Sequence, residues 1–312
     1  MALKDIKTKI KATERTHKVT RAMEAVSAVK MRTTQSTALA GRLYARAALS
    51  ILARLSGSVS FKNHPLMRVR KSSSESRLTK STLALVLITS DKGLAGALNS
   101  SVIKVASEYL DGHSVSISDV TVYAYGKKGE EYFVRRGYRI ARAFENRRDT
   151  VELSVMEELA MELSREFTQG TYDEVVVAYS NFKSTFEQIP TVRRLLPLSL
   201  TDVEQLVKDI VPSKGKWSEL RPIESPAAYS VEPDGDEVLN YLIPRLVSIS
   251  LYHLLLEAKA SEHSARMVAM KNASDKSEEV VHDLTRLFNK IRQAGITREV
   301  SEIIGGREAL AT

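Results

Sequence analysis

Prolines and glycines are spread so unevenly along this chain that they constrain its architecture before any other feature is read. The eight prolines fall at 65, 190, 197, 212, 222, 226, 233 and 244, so residues 1–64 and 245–312 contain none. Before Gly57 the only glycine is Gly41, and between Pro244 and Gly295 there is neither breaker. Two helix-compatible stretches therefore stand at opposite ends, each too long for an ordinary globular helix. About 50 helical residues span ~75 Å, whereas a compact chain of this length is about 50 Å across. Such helices are expected to project, and a single projecting helix would leave its apolar stripe in water. The economical solution is that the two terminal helices pair as an antiparallel coiled coil.

The residues at the ends support that pairing unequally. His263, Met267, Met270, Ser274, Ser277, Val281, Leu284, Phe288 and Ile291 follow alternating four-three spacing without a slip, although His263, Ser274 and Ser277 are polar. At the N-terminus Leu3, Ile6 and Ile10 begin the same spacing and Thr13, His17 and Thr20 continue it, with Val19, Met23 and Val26 on a neighbouring line. The first helix is therefore expected to be covered only in part by one partner.

Between the ends the period changes. Leu83–Thr89, Val120–Tyr125 and Val175–Tyr179 are short β-rich runs, the first and third continuous enough for strands buried on both faces. Helical patterns at Ala95–Leu110, Lys127–Arg136 and Val151–Thr168 lie between them, giving a β-α alternation. The stretch Thr185–Leu198 carries Pro190 and Pro197 and suits an edge strand. The predicted fold class is α/β: a central Rossmann-like, mostly parallel sheet domain plus a long antiparallel coiled coil. The expected division is an N-terminal coiled-coil helix (1–57), a basic linker (58–81), a central α/β domain (82–234) and a C-terminal coiled-coil helix (235–312).

Composition narrows the function. With no cysteine, a disulfide scaffold, a thiolate metal site and a cysteine nucleophile are all excluded. The most apolar stretch, Val238–Ala258, is interrupted by Asn240, Pro244, Arg245, His253 and Glu257, so no membrane span is expected. The opening Met-Ala-Leu-Lys-Asp-Ile-Lys carries charges where an export signal would carry its apolar stretch. Of the net charge of +8, residues 1–80 hold 18 Lys+Arg against 4 Asp+Glu, hence +14, and the remainder −6. The first helix is a basic rod that fits a solvated face, a nucleic acid or an acidic protein partner.

Catalytic patterns are sparse. Ser90-Asp-Lys-Gly93-Leu-Ala-Gly96 follows the first strand and opens a helix, but it has neither the Gly-x-Gly-x-x-Gly nor the Gly-x-x-x-x-Gly-Lys spacing. It reads as a turn with close helix–strand packing. Gly126-Lys-Lys-Gly129 reads as a basic loop. The six histidines (His17, His64, His113, His253, His263, His282) form no zinc-binding pair and read as packing or surface residues. No Gly-x-Ser-x-Gly elbow is present. The acids Glu232, Asp234, Asp236 and Glu237 read as a solvated turn capping the last helix. No catalytic residue, cofactor or metal site is assigned.

Five blocks resemble the gamma subunit family of F-type ATP synthases. They are Thr20–Arg32, Ser90–Asn99, Gln188–Thr191 with Leu195–Leu198, Ala260–Ala273 and Asn289–Thr297, in the family's order and nearly end to end. The resemblance implies a rotor. Its terminal helices form an antiparallel shaft inside a ring of three alpha and three beta subunits. Its α/β foot, which binds no nucleotide, rests with the epsilon subunit on the membrane c-ring. Proton flow would turn ring and shaft together, and each beta subunit would meet a different face of the shaft, driving ATP synthesis or, in reverse, hydrolysis. By motif position Arg292, Gln293 and Thr297 correspond to contacts with the catch loops of a beta subunit. Arg21, Met23, Lys30 and Lys92 would face an acidic segment of beta, and Tyr229 and Glu232 the c-ring or epsilon. Val231 departs from the family's Tyr-x-Tyr-Glu-Pro pattern at that last block. Neither a nucleic acid nor a small-molecule substrate is implied. The expected location is peripheral, on the cytoplasmic face of a bacterial plasma membrane rather than on an organellar membrane. A coiled-coil nucleic-acid binder and an α/β dehydrogenase are the competing readings, the second lacking its glycine fingerprint. The Ser-rich stretch 71–81 has no role that the sequence explains.

Overall fold

The computed structural model describes residues 3–40, 64–68, 82–113, 115–146, 152–199, 201 and 234–311. The chain begins in helix α1 (Leu3–Ala40) and ends in helix α5 (Gly235–Ala311). The 77 residues of α5 correspond to a length of roughly 115 Å. Its start matches the acidic turn expected there, with the Asp236 N–H donating to Asp234 Oδ1 at 3.3 Å. Among the described residues α5 alone is long and apolar enough to cross a membrane, but 61% of its apolar window is buried within the protein.

Contacts divide the chain into two compact units, Met1–Ala28 with Arg266–Thr312, and Val29–Ala265. The first unit is a helix pair. His17 Nδ1 lies 3.0 Å from the Ser274 carbonyl oxygen, which fixes one crossing point. A parallel pair through that point would set residues 1–11 of α1 against 258–268, whose greater part belongs to the second unit. The helices are therefore antiparallel. Burial follows the four-three line through Leu3, Ile6, Ile10, Thr13, His17, Thr20, Glu24 and Ser27 on α1, and through Met267, Met270, Ser274, Ser277, Val281, Leu284, Phe288 and Ile291 on α5. Of the two lines available on α1, the more polar one faces inward, while Val19 and Val26 are 58% and 53% exposed.

Physical reasons for that choice are visible in the seam. Leu3, Ile6 and Ile10 share the inner line with the polar residues, so one continuous helix buries all of them together. Three seam hydroxyls bond within their own helices: Thr13 to Lys9 O (2.9 Å), Thr20 to Thr16 O (3.0 Å) and Ser277 to Ala273 O (2.7 Å). A back-bonded hydroxyl presents mainly its apolar side to the partner helix and leaves no donor unmatched.

The second unit is built on five strands: β1 (Leu83–Ile88), β2 (Val120–Tyr125), β3 (Arg139–Phe144), β4 (Glu174–Ser184) and β5 (Glu187–Leu196). Their order is β3-β2-β1-β4-β5. β1 runs parallel to β2 and β4, β2 runs parallel to β3, and only β5 is antiparallel. Helices α2 (Leu98–Gly112), α3 (Lys127–Arg135) and α4 (Leu153–Gln169) make the crossovers. Pro190 lies in β5, an edge strand, where its missing N–H costs no inner ladder bond. β3 went unread in the sequence because its residues alternate exposed and half-buried and include Arg139 and Arg142.

The sheet is covered on both faces, which explains the continuous apolar runs of β1 and β4. Ala84, Val86, Tyr123, Val175 and Val177 pack with Met156, Leu163 and Phe167 of α4 and with Leu239, Ile243, Leu246 and Leu254 of α5. The opposite face sets Leu83, Leu85, Val120, Val122 and Val176 against Val102, Ala106 and Leu110 of α2 and Phe133 of α3. Each fully buried large side chain contributes about 1.5–3 kcal/mol of transfer free energy. Part of the expected linker also belongs to this core: Leu66 is buried, and its carbonyl accepts the Leu198 N–H at 2.8 Å.

Candidate functional site

The carboxyl ends of β1, β2 and β3 form the edge where ligands of open α/β sheets usually bind. Thr89 stands at the end of β1 there and organises its surroundings. Its hydroxyl donates to Gly126 O at 3.1 Å and accepts the Gly129 N–H at 2.9 Å, tying the start of α3 to the end of β1. Gly126 has φ +100, and a Cβ on it would lie 2.0 Å from Thr89 O. A Cβ on Gly129 would lie 2.5 Å from Leu87 Cδ2. The basic-loop reading of Gly126–Gly129 is thereby corrected, since these glycines permit α3 to approach β1. The close packing expected at Gly93 and Gly96 is corrected as well. A Cβ at either would meet nothing within 4 Å, and only the turn remains, with Gly96 at φ +58.

The loop after β1 is held by side chains. The Ser90 N–H donates to Asn99 Oδ1 (2.9 Å) and Asn99 Nδ2 donates to Ser90 Oγ (2.8 Å). Asp91 Oδ1 accepts the Lys127 N–H at 2.9 Å. Between these anchors Lys92 is exposed, and Leu94 is 60% exposed with φ 64. A branched side chain in the left-handed region carries strain of roughly 1–2 kcal/mol, so the anchors hold a strained turn whose tip faces solvent. Nothing in the spacing of the sequence marks Leu94. Two flanking glycines are the only signal that the turn needs special backbone angles.

Beside this loop lies a cleft of about 500 Å³ lined by Asp91, Lys92, Lys127, Glu130, Ala143, Phe144 and Glu145. Three carboxylates and two ammonium groups give it no consistent sign for an anion. Tyr125 is pushed up to about 12 by burial first and then by Asp91, Glu262 and Glu152. Among the described residues no group of three or more His, Asp and Glu is placed to hold a metal ion. The arrangement anchors the loop at both sides and displays its tip to solvent.

The sequence-derived contact residues fall in separate places. Arg21 is exposed and Met23 half-buried on α1 in the first unit, while Lys30 and Lys92 belong to the second. Arg292, Gln293 and Thr297 are exposed on α5, with Thr297 Oγ1 donating to Gln293 O at 3.0 Å. Sequence reasoning missed their apolar neighbours: Ile296, Val300 and Ile303 are 53%, 48% and 72% exposed. Lys4, Lys7, Lys9, Lys11, Arg15 and Lys18 of α1 also face solvent. Tyr229 and Glu232 lie outside the described residues, as does the Ser-rich stretch 71–81.

The profile of a family described as ATP synthase matches residues 2–310. The ATP synthase gamma chain of Roseiflexus castenholzii is 38% identical over 309 residues, covering 99% of this chain and 98% of that one. That of Chloroflexus aurantiacus is 36% identical over 311 residues, with 99% of each covered. Among solved structures, a chain of the Tetrahymena thermophila mitochondrial ATP synthase central stalk and c-ring aligns at TM-score 0.56 with 26% identity, covering 82% of this chain and 99% of its own. A chain of the Euglena gracilis mitochondrial ATP synthase aligns at TM-score 0.61 over 99% of this chain and 94% of its own. At 16% identity the Euglena likeness is one of fold alone.

Proposed function

Since the chain belongs to the ATP synthase gamma family, we propose that its helix pair and its α/β unit work as the shaft and foot of a rotary central stalk. The observation that carries this reading is coverage. Similarity runs over 99% of the chain and 98% of the relative, so both helices and the sheet are inherited together. The protein works as a rotor component of an F-type ATP synthase, with alpha and beta subunits and the c-ring as partners. Its turning couples ion flow through the c-ring to ATP synthesis or hydrolysis. Contact with the membrane is peripheral and made through the complex. The finer assignments rest on the resemblance: no catalytic site in this chain, an epsilon subunit beside the foot, and the cytoplasmic face of a bacterial membrane. So does the functional division into shaft (1–57 and 235–312), linker (58–81) and foot (82–234).

Mechanically, a rotor acts by differential contact energy. Each beta subunit meets a different face of the shaft, and the conformation that gains most from that face is the one populated. Exposed Arg292, Gln293 and Thr297 are assigned to the catch loops, and Arg21, Met23, Lys30 and Lys92 to the acidic segment of beta. The exposure of Arg21, Lys92 and the three α5 residues supports this, as does the rigid anchoring of the loop that carries Lys92. Tyr229 and Glu232 are assigned to the c-ring by motif alone. Reconstitution tests the reading: the chain is mixed with its cognate alpha and beta subunits, complexes are isolated by size, and ATP hydrolysis is compared with and without it. A complex holding one copy of the chain, with turnover dependent on it, is the expected result. Failure to assemble, with turnover by alpha and beta unaffected, would refute it.

A further inference from the structure

Both helices of the first unit carry an uninterrupted four-three burial line, and part of each line is hydroxylated: Thr13, Thr20 and Ser27 on α1, Ser274 and Ser277 on α5. Identical spacing on two helices does not select one axial register, because a slide of one heptad returns seam to seam. The back-bonded threonines and serines add no selection either, since their hydrogen bonds travel with their own helix. His17 is different. Its Nδ1 lies 3.0 Å from Ser274 O and 3.2 Å from Ser274 Oγ, across 257 residues of sequence.

We infer that His17 is the residue that fixes the axial register of α1 against α5, by its hydrogen bond with the Ser274 hydroxyl, which is available opposite Ser274 and lost one heptad away. A slide in either direction would set the imidazole against Met267 or Val281, which keep a main-chain carbonyl but carry no hydroxyl to bond the ring nitrogen. The consequence is functional as well as structural. The register decides which surface residues of the two helices stand at the same height, and hence the surface the pair presents to any partner. The inference rests on the helix pair alone and holds whatever that partner is.

The chain has no native cysteine, so the register can be read in the full-length protein by disulfide trapping. Counting one heptad from the His17–Ser274 crossing pairs Ile10 with Val281, so Ile10→Cys with Val281→Cys reports the native register. Ile10→Cys with Phe288→Cys, and Leu3→Cys with Val281→Cys, report the two displaced ones. In the parent the native pair should cross-link under mild oxidation, and the displaced pairs about ten-fold less. His17→Leu keeps an apolar seam residue but removes the hydrogen bond, and should raise a displaced pair by about ten-fold. His17→Gln, which can bond the same hydroxyl, should leave the parent pattern in place. The inference is overturned if the native pair does not cross-link in the parent. It is equally overturned if His17→Leu leaves the displaced pairs at background, or if His17→Gln behaves as His17→Leu does.

Discussion

At the scale of single residues, the glycines separate two readings that the sequence could not. Gly93 and Gly96 carry the more conspicuous motif, yet a side chain at either meets open space, whereas the unassuming Gly126 has Thr89 O within 2.0 Å of a would-be Cβ. Spacing reports that a glycine is present, and only the fold reports what stands against it. Gly126→Ala combines a positive φ with a backbone collision and should cost about 3 kcal/mol in the urea-unfolding free energy. Gly93→Ala should change it by less than about 0.5 kcal/mol. Equal effects would mean that α3 does not approach β1 so closely. His64 gives a second test. Burial depresses its pKa below 6.5, a shift partly opposed by a hydrogen bond with Asn240. A depressed histidine binds its proton more readily in the unfolded chain, so stability should fall as pH drops below about 6.5 and level off above it. Urea unfolding between pH 5 and 8 should show that slope in the parent and a flatter one in His64→Gln. A steeper slope in the variant would reverse the assigned direction.

At the scale of elements, how much could be read depended on whether burial or context decided the element. β1, β2 and β4 are covered on both faces, so their apolar runs announced them, and Pro190 placed β5 at an edge. β3 carries two arginines, one of which, Arg142, bonds Glu158 (2.9 Å) and Glu162 (2.8 Å) of α4. Its strand character comes from pairing with β2, which no local pattern encodes. From Met267 to Ile291 the C-terminal seam was legible because spacing alone defines it, whereas His263, read as its first member, belongs to the second unit. The N-terminal line was ambiguous because Val19, Met23 and Val26 compete chemically with Thr20, Glu24 and Ser27, and the apolar start of α1 settles the contest. The turn that carries Lys92 was legible from its place after β1, but the Asn99 clamp and the strained Leu94 emerged only from geometry. The polar seam also sets a stability expectation. Ser277 is half-buried with its hydroxyl turned back to Ala273 O, so Ser277→Leu should add apolar burial and raise the melting temperature of the full-length chain by a few degrees. An unchanged or lowered melting temperature would move Ser277 off the seam.

At the scale of the whole molecule, charge and exposed apolar surface are concentrated in different places. Residues 1–80 carry +14 and the remainder −6, and the basic side chains of α1 from Lys4 to Arg21 stand in solvent. A basic outer face attracts an acidic partner at long range and holds it weakly once water and salt intervene, which suits a surface that must be released at every step. Exposed apolar residues on α5 near Arg292 and Gln293 suit shorter-range grip. If the two kinds of contact divide the work in this way, substitutions should separate them. Lys92→Glu should weaken assembly with alpha and beta subunits most at low salt, where the lost attraction is least screened. Arg292→Ala with Gln293→Ala should leave assembly intact and lower steady ATP turnover about ten-fold, because removing about 1.4 kcal/mol of state-dependent contact energy is felt in the coupled step. Size-exclusion profiles and ATPase rates at low and at high salt, about 50 and about 300 mM, measure both effects on one set of samples. Turnover that stays at the parent level in the double variant would take Arg292 and Gln293 out of the coupling contact. A Lys92→Glu defect indifferent to salt would show that its contact is packing and not charge.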